Sequence, residues 1–199
     1  YLPGGKGEKQ FLPLGTTALS SGKWITFTPQ EEVLKPFGRI TVRYTIKVPE
    51  EAKGGYFSVL FLETALGIAK DEEGANVLVS GRIGALFFIH VKGTVDKKGE
   101  IRNVEIKAPE GNKPLEIATT FANTGNVDVT VGGNFLLMDS EENVAARGTL
   151  DPIYTFPGAT ETGVTKWVGR LAPGKYQALL TYDLGKGQSL VEERTLTVG

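Results

Sequence analysis

The chain has 199 residues, 40% of them hydrophobic, and carries 22 Lys and Arg against 23 Asp and Glu, a net charge of −1. This balance argues against a disordered chain and against a general binder of nucleic acid or anionic membranes, because phosphate affinity comes from clustered cationic charge. With no cysteine and a single histidine, His90, thiol catalysis, disulfides and cysteine-based metal sites are excluded.

The first half of the chain shows the alternation of bulky and small side chains that is typical of β-strands. The clearest pattern runs over residues 40–48, where every second residue is apolar and would face the core. Further strands are predicted over residues 24–28, 56–63 and 77–95, the last as two strands or as one strand bent at a glycine. No apolar run approaches the roughly 20 residues of a membrane helix, so we expect no membrane insertion.

The strand pattern restarts after the polar segment 96–100, which predicts a boundary between two domains, residues 1–98 and 99–199. Strands of the second domain are predicted over residues 101–107, 115–121, 127–131, 135–138, 165–168, 176–182 and 190–198. Residues 123–126 carry a hairpin signal, since Asn and Gly tolerate positive φ. No amphipathic helix of ten or more residues is predicted, and a short helical turn within 151–159 stays open.

Two tyrosines, Tyr56 and Tyr176, occupy equivalent positions in the two halves. Each follows a glycine turn and opens a late strand, which is the arrangement of the tyrosine corner in Greek-key sandwiches. We therefore predict an all-β fold of two tandem immunoglobulin-like Greek-key β-sandwiches, with both tyrosines as structural corners. The first domain is short of strands before Trp24, which indicates either that N-terminal strands have been removed or that a partner chain supplies one.

No residue pattern predicts a catalytic, cofactor or metal site. His90 would need a nucleophile and an orienting carboxylate to act as a base, so a structural or surface role is favoured. The paired carboxylates 31/32, 50/51, 72/73, 141/142 and 192/193 suit solvated turns better than glycoside hydrolysis. Residues 139–143 favour a plain acidic hairpin over a calcium loop, and Trp24 and Trp167 favour core positions over a glycan platform.

Several short motifs in the first half resemble the peptidoglycan-binding domain of WxL-interacting bacterial cell-surface proteins. They are residues 24–29 (WITFTP), 34–36 (LKP), 48–51 (VPEE), 55–56 (GY) and 61–63 (FLE).

In the second half, residues 121–126 (FANTGN) and 171–176 (LAPGKY) resemble the partner-binding immunoglobulin-like domain of the same family. The two-domain layout is more distantly similar to PapD-like periplasmic chaperones. Such a chaperone would anchor a subunit carboxylate with a basic pair, and no motif here selects one from Arg82, Lys92 and Arg102.

The resemblance implies a non-enzymatic, extracytoplasmic binding or scaffold protein of the bacterial cell envelope, at the cell surface or in the periplasm. Its partner would be another envelope or surface protein, or peptidoglycan, recognised through strand edges and loops and without a cofactor. Three alternatives stay open: a PapD-like chaperone for surface-fibre subunits, a purely structural stalk module, and a glycan hydrolase that uses loop carboxylates.

Overall fold

The structure of the protein, a computed structural model, describes residues 2–3, 9–70, 72–111, 113–185 and 187–199. Within these ranges the chain forms thirteen β-strands and one short 3-10 turn, Gly22–Trp24, with no α-helix. Accordingly, no helix in this part of the chain is long and apolar enough to span a membrane. The fold is all-β, as the alternating sequence pattern predicted.

Contacts between residues divide the chain into unit 1, Tyr1–Thr94, and unit 2, Val95–Gly199. The polar segment 96–100, predicted as a joint, lies in unit 2 because its backbone is bonded there. Asn126 donates its N–H to the carbonyl of Asp96 at 2.9 Å, and its side-chain oxygen accepts the N–H of Asp96 at 2.7 Å. The N–H of Thr124 likewise reaches the carbonyl of Lys98 at 3.0 Å.

Unit 1 contains three antiparallel two-stranded sheets among its described residues. They pair β1 (Leu2–Pro3) with β2 (Lys9–Gln10), β3 (Ile25–Thr28) with β4 (Arg43–Ile46), and β5 (Gly55–Lys70) with β6 (Asn76–His90). The β5–β6 hairpin is much the longest of the three. Its pairing is regular apart from one bulge between Ala65 and Gly67 on β5.

Two strand predictions for unit 1 were wrong in their limits. The nine-residue strand expected over 40–48 is reduced to β4, because β3 offers only four residues with which to pair. The segment 77–95, expected as two strands or one bent strand, is the single strand β6 followed by a turn in which Thr94 donates its N–H to the carbonyl of Val91.

The described residues of unit 2 form seven strands in two sheets. The strands are β7 (Gly99–Lys107), β8 (Leu115–Asn123), β9 (Val129–Met138), β10 (Val144–Thr155), β11 (Thr160–Trp167), β12 (Gly174–Gly185) and β13 (Gln188–Val198). One sheet has the order β10-β9-β12-β13 and the other β11-β8-β7, and neighbouring strands in both sheets are antiparallel.

Both sheets of unit 2 contribute buried side chains to one core, as in a β-sandwich. Leu115, Ile117 and Phe121 come from the three-stranded sheet, and Leu137 and Leu180 from the other. Their period-two spacing along the strands is the alternation visible in the sequence. At roughly 1.5–3 kcal/mol for each fully buried large apolar side chain, this core is the main source of the unit's stability.

One strand of unit 2 was not predicted. β10 covers part of 151–159, where a helical turn stayed open, and it contains Gly148 and Pro152, two residue types that usually interrupt strands. The structure accommodates Pro152 on an edge strand, at a register shift between Leu150 and Ile153. An edge strand tolerates proline, since its missing N–H need not join a ladder.

Candidate binding surface

The two predicted corner tyrosines differ in their local geometry. Tyr176 is buried, and its hydroxyl donates a hydrogen bond to the carbonyl of Ala172, four residues earlier, at 2.7 Å. Tyr56 is half-buried, and its hydroxyl accepts the N–H of Lys53 at 3.4 Å. The first is a short bond that closes a turn, whereas the second lies near the limit of hydrogen bonding.

The residues considered for catalysis are dispersed over exposed positions. His90 is exposed at the end of β6, and the paired carboxylates are exposed except for Glu192, which is half-buried. Glu192 forms an ion pair with Arg194 at 2.7 Å. Across the described ranges no three acidic or histidine side chains cluster in a way that would hold a metal ion.

The acidic turn between β9 and β10 uses its own carboxylate to hold its shape. Asp139 Oδ1 accepts the N–H groups of Glu141 and Asn143, both at 2.9 Å. The backbone N–H of Asn143 is the main reason that the pKa of Asp139 lies below its usual value. The carboxylate is therefore occupied by the backbone in this turn.

The base of the β5–β6 hairpin is packed on both faces. On one face the rings of Trp24 and Tyr56 lie 4.2 Å apart, and on the other the rings of Phe11 and Phe61 lie 5.0 Å apart. Along the outer edge of β5, Phe57 donates its N–H to the carbonyl of Leu19 at 2.7 Å. The base is thereby fixed to the rest of unit 1.

The outer half of the same hairpin, residues 62–70 and 76–83, is called here the distal arm. It carries apolar side chains in solvent on both faces, including Ile68 at 73% exposure, Leu78 at 71% and Ile83 at 73%. The register places Ile68 opposite Leu78, and Leu62 opposite Ile83, on the other face. Strands with apolar residues on both faces are typical of sheets that are covered on both sides.

The outer edge of β6 is open as well as apolar. Within the described chain, β6 is paired in a sheet with β5, and over residues 76–87 its other edge joins no described strand. Between residues 76 and 87 the single charged side chain is Arg82. Arg82 forms an ion pair with Glu63 at 3.0 Å and lies over the Phe61 ring at 4.9 Å, so its charge is compensated within the hairpin.

The edges of unit 2 have features that discourage pairing with another chain. β10 has Pro152 and its register shift, and β7 has a shift between Ile101 and Asn103. β13 has the charged run 192–194. Prolines, bulges and charges on edge strands oppose edge-to-edge association. β6 has none of these apart from Arg82, which distinguishes it from β7, β10 and β13.

Unit 2 also has a shallow groove on the outer face of its four-stranded sheet. Its volume is about 570 Å³, and Leu136, Leu179 and Arg147 are among the residues that line it. Both leucines are half-buried and Arg147 is exposed. The groove offers a small apolar surface beside one cation, and it contains no titratable pair for chemistry.

Comparison with known proteins does not assign the chain to a family. No protein-family model matches the sequence, and no curated protein matches it. Among solved structures, the chain is similar to a β-glucuronidase from glycoside hydrolase family 2, at 14% identity and a TM-score of 0.35. The similarity covers 55% of this chain and 12% of that enzyme's chain. A likeness this slight carries no inference about fold, activity or partners.

The distal arm was not recognised in the sequence as a surface, although a signal was present. Residues 77–79 in the arm are an apolar run, and residues 85–89 continue the apolar pattern at the base of the same strand, which indicates a strand buried on both faces. Such a run does not reveal whether the chain itself supplies the cover. Only the structure shows that, within the described residues, Ile68, Leu78 and Ile83 are left exposed.

Proposed function

We propose that the protein is a non-enzymatic binding or scaffold protein that holds an extended segment of a partner along β6. The observation that carries this proposal is the distal arm, with exposed apolar side chains beside an open, nearly uncharged strand edge. A sheet edge gives affinity through backbone hydrogen bonds, while pockets for alternate side chains give selectivity.

The magnitudes favour such a combined contact. Fully burying an exposed Leu or Ile contributes roughly 1.5–3 kcal/mol. Leu78 and Ile83 lie on β6 and would contact a strand added at its edge, so together they supply at most roughly 3–6 kcal/mol. This is at the lower end of the roughly 4–15 kcal/mol that association costs. The surplus that makes a stable complex must then come from the backbone hydrogen bonds along β6.

For the fold we propose that both units are immunoglobulin-like sandwiches. In unit 2 the seven strands, their division into sheets of four and three, and the Tyr176 bond support this assignment. In unit 1 the support is that β3–β4 packs on the β5–β6 hairpin through the rings of Tyr44 and Phe87, 5.1 Å apart. The corner role of Tyr56 is part of the same proposal.

We further propose that the protein works outside the cytoplasm, at the bacterial cell envelope. The support is the resemblance of residues 24–63 and 121–176 to WxL-interacting surface proteins. The partner would be another envelope or surface protein, or peptidoglycan, with no nucleic acid, no cofactor and no membrane insertion by this segment. A PapD-like chaperone would use the same open edge and would in addition bind the carboxylate end of its subunit.

The test measures the affinity of the arm for extended peptides. The protein is titrated into fluorescent peptides with alternating apolar residues, and binding is followed by anisotropy. The control peptides are copies N-methylated at every second residue. Co-pelleting of the protein with isolated peptidoglycan is measured in parallel. We expect binding to the unmodified peptides, at least tenfold weaker binding to the methylated copies, and a similar loss for Leu78→Asp. Val191→Asp, on an exposed residue of β13, is the matched control and should bind normally.

The alternatives predict different results in the same assay. A chaperone would lose affinity when a C-terminal carboxylate on the peptide is replaced by an amide, whereas a scaffold would be indifferent. Absence of binding to every alternating peptide and to peptidoglycan would contradict the proposal and favour the stalk module. Release of reducing sugar from cell-wall or plant polysaccharides, abolished by Glu→Gln variants, would instead favour a hydrolase.

A further inference from the structure

We infer that the open edge of β6 pairs with β6 of a second copy of this chain, antiparallel and with Ile83 on the two-fold axis. The inference rests on the proposed use of this edge for binding, and it names the partner. The product is a continuous four-stranded sheet in the order β5-β6-β6-β5. Such an isologous contact closes on itself, so it yields a dimer and not a fibre.

The first reason is that residues 76–87 form a regular edge suited to pairing. The single bulge of the hairpin is on β5, so β6 is unbroken. Its sequence there, NVLVSGRIGALF, contains no proline and one charge. Every second residue of an edge strand points its N–H and C=O outward, which leaves about six residues able to bond a neighbour.

The second reason is that this sequence is self-complementary about Ile83. With Ile83 opposite itself, Val79 faces Phe87 of the second copy, Ser80 faces Leu86, and Gly81 faces Ala85. Further out, Val77 faces Ile89 of the second copy. The Val79–Phe87 and Val77–Ile89 pairs are therefore apolar, Gly81 and Ala85 are both small, and Ser80 opposite Leu86 is a mixed pair. Cross-strand pairs of β-branched and aromatic residues are the stabilising unit of antiparallel sheets.

The third reason is electrostatic. The Ile83 register places Arg82 opposite Gly84 of the second copy, whereas a shift of the axis to residue 82 would set Arg82 against Arg82. Like charges directly opposite one another destabilise a sheet. Arg82 is also already paired with Glu63. The one charge on the strand thus excludes the register centred on residue 82 and is compatible with the register centred on Ile83.

The same register would also bring neighbouring side chains to the exposed distal arm. It aligns residues 76–82 of one copy with residues 84–90 of the other, so each arm lies beside the base of its neighbour. At that base the hairpin has aromatic residues packed against it, including Tyr44 on Phe87. The arm of one copy then gains apolar neighbours that its own chain does not provide among the described residues.

The test uses single cysteines, since the chain has none of its own. In Ile83→Cys the two thiols would sit on directly opposite residues, about 4.5–5.5 Å apart at Cα, which a disulfide can span. Leu78→Cys is the matched control, because Leu78 lies on the same strand at nearly equal exposure. In the predicted register its two copies are ten residues apart along the sheet, roughly 34 Å.

We expect Ile83→Cys to form a disulfide-linked dimer under mild oxidation at least tenfold faster than Leu78→Cys, after correction for thiol reactivity. Light scattering on the cysteine-free protein should show a species of twice 21.4 kDa at micromolar concentrations. Ile83→Lys should weaken dimerisation at least tenfold, since it sets two like charges face to face, and Leu78→Lys should weaken it less. Circular dichroism confirms that both lysine variants are folded.

A monomer at all concentrations, or equal cross-linking of both cysteine variants, would overturn the inference. These results can be distinguished from a failure of the proposed function. If the protein is a monomer that still binds alternating peptides, the proposed function stands and the inference of a dimer is refuted. In the dimer the edge of β6 is occupied, so peptides must compete with dimerisation; failure to bind peptides or peptidoglycan even at concentrations where the dimer has dissociated would refute the proposed function and leave the dimer standing.

Discussion

Replacing Tyr176 and Tyr56 separately by Phe tests whether the two corner positions stabilise their units equally. Each substitution removes one hydroxyl and keeps the ring, so the burial of apolar surface is unchanged. The structure predicts unequal effects. Tyr176 is buried with a 2.7 Å bond to Ala172, and Tyr56 is half-buried with a 3.4 Å contact to Lys53.

The size of each effect follows from these contacts. A typical intramolecular hydrogen bond contributes about 0.5–1.5 kcal/mol, and leaving a buried partner unsatisfied costs more. Ala172 is exposed, so water can bond its carbonyl once the phenol is gone. Tyr176→Phe should therefore lower the free energy of unfolding of unit 2 by about 1 kcal/mol, and Tyr56→Phe that of unit 1 by less than about 0.5 kcal/mol.

The two tryptophans allow each unit to be followed by itself during urea unfolding. Trp24 lies 4.2 Å from Tyr56 in unit 1, and Trp167 packs against the core of unit 2. Tyr176→Phe is measured in a Trp24→Phe background, and Tyr56→Phe in a Trp167→Phe background. A midpoint shift with an unchanged m-value reports stability alone.

Two results would refute the reasoning. An unchanged midpoint for Tyr176→Phe would mean that the short bond to Ala172 is fully replaced by water. A larger loss for Tyr56→Phe than for Tyr176→Phe would mean that hydrogen-bond length and burial do not rank these two positions. Either result would also weaken the comparison of both residues with tyrosine corners.

Two further predictions concern buried polar groups in unit 2. Asn123→Ala should lower the stability of the unit by about 3 kcal/mol in urea unfolding, because it removes bonds from a buried amide to the carbonyl of Val127 and from the N–H of Gly125. Asn103→Ala, on an exposed amide, should change it by less than about 0.5 kcal/mol. Burial raises the pKa of Tyr182, so the protonated phenol favours the folded state, and this contribution should disappear as the pH rises above about 10. Tyr182→Phe should flatten the pH dependence of the urea midpoint between roughly pH 9 and 11. It should also lower the free energy of unfolding at neutral pH by about 1 kcal/mol through loss of the 2.7 Å bond to Thr119. An equally steep alkaline fall of the midpoint in the variant would contradict this.

Alternation in the sequence predicted the strands of unit 2 best where a neighbouring strand was present on each side. The segment 115–121 is an example, because β8 lies between β7 and β11 and its alternate residues are buried. The same pattern over residues 40–48 was misleading. A period of two shows which side chains share a face, but a strand forms only where another backbone lies alongside, and β3 ends at Thr28.

Features that depend on tertiary context were not visible in the sequence. Thr119 appears as one alternate position among apolar residues, yet it is buried because Tyr182 on the opposite sheet bonds its hydroxyl. β10 was missed because Pro152 looks like a breaker until its edge position is known. The sequence predicted binding through strand edges, but it did not show which edge. The proposal of β6 depends on the register of the hairpin, which only the structure gives.

The unequal cover of the β5–β6 hairpin implies a gradient of amide hydrogen exchange along it. At the base, the rings that flank both faces must separate before a backbone bond opens, whereas the distal arm can fray without disturbing them. Protection from exchange should therefore fall steadily from Phe57 towards Lys70, on a scale set by local opening and not by global unfolding. A second chain or peptide bound to the arm would raise its protection and flatten that gradient. Hydrogen exchange can therefore report when the arm is bound and at which residues.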